Sequence, residues 1–257
     1  MSSIATTLRP YVLSIAGFDP SGGAGLIADA KTFEAQGVYG LTVATAITVQ
    51  HESVFRKVEW LDKELIKEQV KLLLKQYPVD YCKIGLIEHW ELLQELVDLL
   101  RASNPSIYIV VDPIFRASAG FDFGHATSLE DLMAWLPSID LLTPNAQELA
   151  RMNPSQEDLL ITAQQLAKGT TILYKGGHNV KQKGVDVLFY SGKQWVLPPP
   201  FLSAYEKHGS GCVLSASIVG QLAKGLPIWE ACQVAKEYTT QFLNSNPSLL
   251  GYHTNNK

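Results

Sequence analysis

Ile107-Tyr-Ile-Val-Val111 is an unbroken apolar run that ends at the dipeptide Asp112-Pro113. Runs of β-branched residues without polar alternation are typical of parallel strands, because helices cover both faces of a parallel sheet. Similar runs recur along the chain, and an amphipathic stretch follows most of them. The alternation predicts strands at residues 11–16, 42–49, 81–84, 107–111, 140–142, 171–174 and 185–190, and helices at residues 26–36, 62–75, 90–101, 129–136 and 146–152.

The fold class that this order predicts is α/β, a three-layer α/β/α sandwich around a mostly parallel sheet. The run from Lys183 to Leu197 differs, because it predicts an antiparallel hairpin that turns at Ser191-Gly192 and closes one edge of the sheet. No repeat, low-complexity segment or linker interrupts the chain, so residues 1–257 are predicted to form a single domain. We expect the C-terminus to fray from about Asn244.

Composition excludes several classes of protein. Of the 257 residues, 46% are hydrophobic and 18% are charged, a balance that builds a core and argues against disorder. The net charge is −4 and the basic residues are scattered, so neither nucleic acid nor a membrane surface is an expected partner. No apolar run is long enough to span a bilayer and no signal peptide is recognisable, so we expect a cytoplasmic protein whose three cysteines are reduced.

Polar residues gather directly after the predicted strands, where ligands of open parallel sheets bind. They are the loop from Gly17 to Gly25, Gln50, Asp112-Pro113, the stretch from Thr143 to Glu148, and Lys175-Gly-Gly-His178. Asp112 and Glu148 are candidate Mg²⁺ ligands, because this ion binds one or two carboxylates together with substrate phosphates. Lys175 is a candidate for neutralising phosphate charge.

The segment His208-Gly-Ser-Gly-Cys212 opens into a helical run. Free N–H groups and the positive end of the helix dipole meet at such a point, and the glycines let an anion approach the backbone. We therefore predict an anion cradle. The same field favours the thiolate of Cys212 and predicts an unusually acidic thiol. Together with the strand-end residues, the cradle indicates phosphoryl transfer.

Each candidate has a simpler interpretation. Asp112 before a proline often starts a turn, and Glu148 fits a carboxylate in the first turn of a helix. Lys175 fits a surface lysine, and Cys212 fits a small buried residue, as we assume for the other cysteines. The isolated histidines are assigned no role; they are His51, His89, His125 and His208.

A second hypothesis is dinucleotide binding, because Gly23-Ala-Gly25-Leu-Ile-Ala28 matches a loose G-x-G-x-x-G/A pattern. Several residues separate this pattern from the preceding strand, and Asp29 comes too early to bind a ribose. The Walker pattern of P-loop enzymes is absent from the sequence. A kinase of another type is therefore favoured over an oxidoreductase.

Five segments in order resemble the hydroxymethylpyrimidine/phosphomethylpyrimidine kinases of thiamin synthesis, which belong to the ribokinase-like superfamily. The segments are Ile15–Asp29, Lys31-Thr-Phe33, Thr143-Pro-Asn145 with Glu148, Lys175-Gly-Gly-His178 and His208-Gly-Ser-Gly-Cys212. The resemblance implies one α/β/α domain that uses ATP and Mg²⁺ to phosphorylate the hydroxymethyl group of an aminopyrimidine, and in many members then its monophosphate. Many members are homodimers.

The resemblance also implies roles for individual residues. Gly209, Ser210 and Gly211 match the anion hole, and Cys212 matches the base. The implied pyrimidine pocket contains Gly17, Asp29, Gln50 and Leu86, the last in place of a frequent methionine. The implied nucleotide and metal region contains Lys175 and Asn145, with Asp112 and Glu148 as the metal ligands.

One departure bears on activity. Ser118 stands where many members have a lysine, which puts the second phosphorylation in doubt, although Arg116 offers another cation nearby. Two alternatives stay open: a pyridoxal kinase, which shares the fold, and a non-catalytic ligand-binding protein. Candidate covers of the site are residues 120–124 and 181–184, where glycine or charge coincides with weak periodicity.

Overall fold

One mixed sheet organises the protein. The computed structural model describes residues 9–115, 120–123, 129–177 and 184–254, and within them nine strands lie in the order β3-β2-β1-β4-β5-β6-β7-β8-β9. The strands are β1 (Tyr11–Phe18), β2 (Tyr39–His51), β3 (Val54–Trp60), β4 (Val79–Ile84), β5 (Tyr108–Val111), β6 (Leu141–Leu142), β7 (Thr171–Tyr174), β8 (Asp186–Tyr190) and β9 (Lys193–Leu197). The six strands from β2 to β7 in this order pair in parallel, and the pairs β2–β3, β7–β8 and β8–β9 are antiparallel.

Helices cover both faces of this sheet. They are α1 (Gly25–Ala35), α2 (Lys63–Gln76), α3 (Trp90–Ser103), α4 (Leu129–Trp135), α5 (Ala146–Met152), α6 (Leu159–Leu166), α7 (Ser210–Ala223) and α8 (Ile228–Leu243), with a short 3₁₀ helix at Leu136–Ser138. Neighbouring strand residues point to opposite faces: Val12 packs with residues of α1, α7 and α8, whereas Leu13 packs with residues of α2 to α6. The predicted three-layer α/β/α class is confirmed.

The predicted hairpin is present, and the elements that the sequence analysis missed lie mostly at the periphery. The hairpin turns at Ser191 and Gly192, both with positive φ, as its two-residue loop requires. Three elements were not predicted: the edge strand β3 and the helices α6 and α8. Strand β3 makes the second edge of the sheet antiparallel as well.

The predicted fraying from Asn244 is wrong for residues 244–254. The backbone oxygen of Leu249 accepts the N–H of His208 at 2.9 Å, and the oxygen of Asn246 accepts the Lys207 ammonium at 2.6 Å. The ring of His253 packs against Phe242 with centroids 4.8 Å apart. Long-range contacts of this kind dock the segment onto α8 and onto the loop before α7. Within the described residues no helix is long and apolar enough to cross a membrane.

An ion pair lies inside the core beneath the carboxyl end of the sheet. The Lys83 ammonium is 2.6 and 2.7 Å from the two carboxylate oxygens of Asp29, and both side chains are fully buried. The hydroxyl of Ser14 donates to the same carboxylate at 2.6 Å. Removing one member of a buried pair leaves a charge without compensation.

Lys83→Met should therefore lower the free energy of unfolding by about 3–5 kcal/mol. The double variant Asp29→Asn with Lys83→Met should lose clearly less, because no charge is then left unpaired. Urea unfolding followed by circular dichroism measures both values. A loss of under about 1 kcal/mol in Lys83→Met would contradict the importance of the pair.

Candidate active site

A cavity of about 250 Å³ opens at the carboxyl ends of the parallel strands. Its wall includes eleven of the twelve predicted site residues: Gly17, Gln50, Leu86, Asp112, Asn145, Glu148, Lys175, Gly209, Ser210, Gly211 and Cys212. These residues lie at the carboxyl end of β1 or β2, follow one of the strands β4 to β7, or begin α7. The sheet order brings them together although the chain separates them by up to 195 positions, from 17 to 212.

Asp29 is the exception. Its carboxylate is fully buried, bonds to Lys83 and Ser14, and is absent from the cavity wall. The prediction that Asp29 lines the substrate pocket is therefore wrong. The carboxylate faces the core because a buried ammonium is available there, which the sequence motif does not reveal.

Two glycine-rich loops touch where α7 begins. Gly209 is the N-cap of α7 with φ of +73°, and a Cβ built on it would lie 2.1 Å from the backbone oxygen of Gly23. Gly25, at the start of α1, has φ of +57°, and its Cβ would lie 2.2 Å from the oxygen of Gly17. Glycine is required at both positions, because any other residue would be strained and would push the loops apart.

A lysine and two carboxylates face the start of α7. The Lys175 ammonium is 2.6 Å from Oδ1 of Asp112 and 3.7 Å from Oε2 of Glu148. A Cβ built on Gly211 would lie 3.5 Å from that ammonium and 3.9 Å from Oδ2 of Asp112, so the helix end and these charges border one space. Asp112 also accepts hydrogen bonds from the hydroxyls of Thr143 and Ser215.

Burial and neighbouring charge set the protonation of this cluster. Burial disfavours the ammonium of Lys175, but Asp112 and Glu148 outweigh it and raise the pKa of Lys175. Burial favours the neutral acid of Asp112, but Lys175 and Lys83 overcome it and lower the pKa of Asp112. Burial, with the charge of Asp112, raises the pKa of Glu148 to about 7, so this carboxyl exchanges a proton near neutrality.

Glu148 and Asn145 also form a helix cap. The N–H of Asn145 donates to Oε2 of Glu148 at 2.6 Å, and the N–H of Glu148 donates to Oδ1 of Asn145 at 3.0 Å. This capping box begins α5, so the simpler interpretation of Glu148 as a first-turn carboxylate is confirmed. The cap does not remove Glu148 from the cavity, because it holds the carboxylate close to Lys175.

The donor set fits Mg²⁺ rather than a metal held by protein alone. Among the described residues no group of three histidine, cysteine or acidic side chains is arranged to hold an ion. Asp112 and Glu148 offer two carboxylates beside the open space over Gly211. Mg²⁺ commonly completes its shell with water and substrate phosphates, so two carboxylates suffice.

Cys212 lies in the first turn of α7 and is 7% exposed. Burial raises the pKa of its thiol to about 11; Asp29 and Asp112 act in the same direction, and they outweigh Lys83 and the N–H of Gly25. The prediction of an unusually acidic thiol is therefore wrong. Position at a helix N-terminus favours a thiolate, but desolvation next to two carboxylates opposes it more strongly.

Sequence reasoning missed two pairs in the cavity wall, each of which joins a carboxylate to a basic side chain. Nε2 of His208 lies 2.8 Å from Oδ2 of Asp19, and the same carboxylate accepts the N–H groups of Ser21 and Ala24. Burial opposes ionisation of Asp19, but the hydrogen bonds from His208 and Ser21 prevail and lower its pKa. The second pair joins Lys236 to Asp186 at 2.8 Å.

A usable signal existed for only one of these pairs. Asp19 lies in the glycine-rich segment Ile15–Asp29, and His208 begins the segment His208-Gly-Ser-Gly-Cys212. Because His208 belongs to such a motif, there was a reason in the sequence to assign it a role. The partners of the other pair are 50 positions apart on β8 and α8, and α8 was not predicted. Several earlier hypotheses lie outside the described residues, namely those on Arg116, Ser118, His178 and the cover segments beyond 120–123 and Gly184.

Phosphoryl transfer to a small molecule is the chemistry that this arrangement serves, and the fold is that of the ribokinase-like kinases. The chain belongs to the phosphomethylpyrimidine kinase family, whose model matches residues 19–256. The predicted family and kinase class are confirmed, and the oxidoreductase hypothesis is set aside.

Curated relatives agree with the family assignment. A hydroxymethylpyrimidine/phosphomethylpyrimidine kinase from Rhizobium meliloti is 37% identical over 243 residues, which cover 90% of this chain and 89% of the relative. A protein of the same name from Aquifex aeolicus is 30% identical over 244 residues, covering 92% and 95% of the two chains.

Solved structures are similar over the same length. The phosphomethylpyrimidine kinase of Clostridium difficile superposes with a TM-score of 0.74 at 33% identity, covering 91% of this chain and 99% of that one. The pyridoxal kinase of Staphylococcus aureus in complex with AMP-PCP and pyridoxal gives a TM-score of 0.79 at 27% identity, covering 95% and 92%. Similar structures thus occur among kinases named for two different acceptors.

Gly209→Ala should lower kcat/KM of the kinase reaction by roughly 100-fold or more, because the added Cβ displaces the start of α7. Gly192→Ala is the matched control, since Gly192 has nearly the same φ, +72°, and nothing within 4 Å of its Cβ. That control should lose about 1 kcal/mol of stability and keep its activity. Equal kinetics for the two variants would show that the loop contact is dispensable.

Proposed function

We propose that this chain transfers the γ-phosphoryl group of ATP to the hydroxymethyl group of 4-amino-5-hydroxymethyl-2-methylpyrimidine. The observation that carries the proposal is that one cavity is lined both by Gln50 and by the phosphate-handling set around Lys175 and Cys212. Membership of the phosphomethylpyrimidine kinase family supports the choice of acceptor. The similar pyridoxal kinase structure that holds an ATP analogue supports ATP as the donor.

At the acceptor end, Gln50 supplies a primary amide. One of its N–H groups donates to Oγ1 of Thr48 at 2.8 Å, which orients the side chain. The amide carbonyl and the second N–H then suit a ring nitrogen that lies beside an exocyclic amine. Leu86 packs over Gly17, whose added Cβ would lie 2.8 Å from its methyl group, and both contribute apolar wall.

At the phosphate end, the backbone N–H groups at Gly209–Cys212 and the positive end of α7 would bind anionic oxygens. Lys175 would neutralise charge on the transferred group. Mg²⁺ would be held by Asp112 and Glu148, directly or through water, and would supply charge neutralisation between phosphate oxygens. Asn145 caps α5 and holds Glu148 in place for this role.

Cys212 is the proposed acceptor of the alcohol proton. Its high pKa in the ligand-free cavity means that the thiol form dominates at neutral pH. A thiol can still serve as the base, because the alcohol proton leaves late in a loose phosphoryl-transfer transition state and only a weak base is needed. Binding of Mg²⁺ beside Asp112 would also offset one of the carboxylates that disfavour the thiolate.

Pyridoxal is the second candidate acceptor, and the similarity to a pyridoxal kinase structure favours it specifically. A non-catalytic role is not supported, since the chain belongs to a kinase family and places the predicted phosphate-handling residues around one cavity. Function as one domain, a homodimeric state, the cytoplasmic location and the lack of nucleic-acid partners stay predictions.

Mass analysis of products tests the proposal. The protein is incubated with Mg²⁺-ATP and, separately, with hydroxymethylpyrimidine, its monophosphate and pyridoxal. We expect monophosphate from the first substrate; diphosphate from the second would show that Ser118 is compatible with both steps. Faster phosphorylation of pyridoxal would identify pyridoxal as the acceptor instead of hydroxymethylpyrimidine. The absence of product from all three substrates would refute the proposal.

The role of Cys212 has its own prediction. Because its pKa is raised to about 11, the thiolate fraction grows with pH, so kcat/KM for the alcohol should still rise between about pH 8 and 9, above the range in which Glu148 loses its proton. Cys212→Ala should lower kcat by roughly 100-fold and remove this rise. Steady-state kinetics across the pH range check both effects, and a near-normal kcat in the variant would rule out the base.

A further inference from the structure

Four aromatic rings cluster at the β3 edge of the sheet. Phe55 on β3 stacks on Phe121 with centroids 4.6 Å apart and meets Phe123 edge-on at 5.5 Å. Phe121 and Phe123 are themselves 5.4 Å apart, and Trp60 lies 6.1 Å from Phe123. Among the described residues, none of these four rings belongs to the hydrophobic core on either face of the sheet. The aromatic cluster is therefore separate from the core.

Two of the rings, Phe55 and Phe123, line the cavity, whereas Phe121 and Trp60 do not. The segment that bears Phe123 is anchored, because its N–H donates to the oxygen of Phe115 at 2.9 Å and the neighbouring Asp122 pairs with Arg151. Both cavity-lining rings are half-buried. Aromatic surface at an exposed sheet edge is therefore available to a bound molecule.

The register of β2 and β3 places this aromatic surface beside the side-chain amide of Gln50. Gln50 and Phe55 are direct cross-strand partners, just after an irregularity in the pairing. Partners of this kind have their Cβ atoms about 4.5–5.5 Å apart on the same face. A phenyl ring and an amide consequently border the same part of the cavity.

This combination has a specific chemical complement. A planar nitrogen heterocycle can lay its face against a phenyl ring while its edge donates to and accepts from an amide. A sugar offers neither a flat π-face nor an edge of this kind. The acceptor end is thus matched to heteroaromatic rings more closely than to polyols.

We infer that Phe55 and Phe123 form an aromatic wall that contacts the ring of the acceptor, and that these two residues select such a ring over alcohols without an aromatic ring. The inference rests on the proposed function, because it assigns two specificity-determining residues to the acceptor end of the same cavity. Gln50 fixes the orientation of the ring, and the wall supplies affinity that does not depend on the hydroxymethyl group.

Direct binding without ATP tests the wall. Isothermal titration with hydroxymethylpyrimidine should give a Kd roughly 3- to 10-fold higher for Phe55→Leu and for Phe123→Leu, since aromatic pairs contribute about that much beyond burial. Phe55→Tyr keeps the ring and should stay within about 2-fold of the wild type. In kinetics, the leucine variants should raise KM for the acceptor and leave KM for ATP unchanged.

Two controls separate ring contact from general packing. Phe201→Leu changes a half-exposed phenylalanine outside the cavity wall and should leave Kd unchanged. Phe121→Leu removes a ring that belongs to the cluster but does not line the cavity, and should weaken binding less than Phe55→Leu. If Phe121→Leu weakens binding as much as Phe55→Leu does, the effect comes from packing within the cluster, and the inference is overturned.

The remaining outcomes distinguish this inference from the proposed function. If the wild type phosphorylates hydroxymethylpyrimidine but Phe55→Leu and Phe123→Leu bind it normally, the wall is refuted and the proposed function stands. If the wild type binds and phosphorylates ribose as well as hydroxymethylpyrimidine, the selectivity is refuted. If the wild type phosphorylates none of the heteroaromatic alcohols, the proposed function fails.

Discussion

The contact between the two glycine-rich loops is the constraint on which the active site depends. Gly209 presses against the backbone of Gly23, so the start of α7 sits on the loop that leads into α1. The pair of Asp19 and His208 joins the same loops through side chains. The C-terminal segment adds a third connection through Leu249. A helix end fixed from three sides can present its N–H groups to an anion without a large loss of entropy on binding.

Charge beside the start of α7 is the second organising element, and the two ion pairs that carry it are largely buried. Lys83 with Asp29 and Lys175 with Asp112 place two ammonium groups and two carboxylates below and beside the start of α7. Pairs of this kind contribute little net stability compared with apolar residues of similar size. These pairs matter for another reason. They lie around Cys212 and Gly211, where they set which groups are charged at the place where phosphate would bind.

The two ends of the cavity are built by different physical means. The proposed phosphate end would use backbone N–H groups, a lysine and carboxylates, which act through charge and need fixed positions. The proposed acceptor end is lined by Gln50, apolar side chains and aromatic rings, which would act through shape and hydrogen-bond pattern. Similar structures named as pyrimidine and pyridoxal kinases fit this division, since the chemistry of transfer does not depend on which ring is bound.

The sequence by itself determined the layered fold and the position of the cavity, because strand and helix periodicities are local and parallel strands place their carboxyl ends at one edge. Glycine motifs were also legible, since positive φ and close backbone approach leave few other residues possible. Tertiary structure alone decided the raised pKa of Cys212, the inward position of Asp29 and the pairing of Phe55 with Gln50. The first two depend on burial and on partners distant in the chain, which leave no periodic trace in the sequence. The third depends on the shifted register at the end of β2 and on β3, a strand that the sequence pattern did not predict.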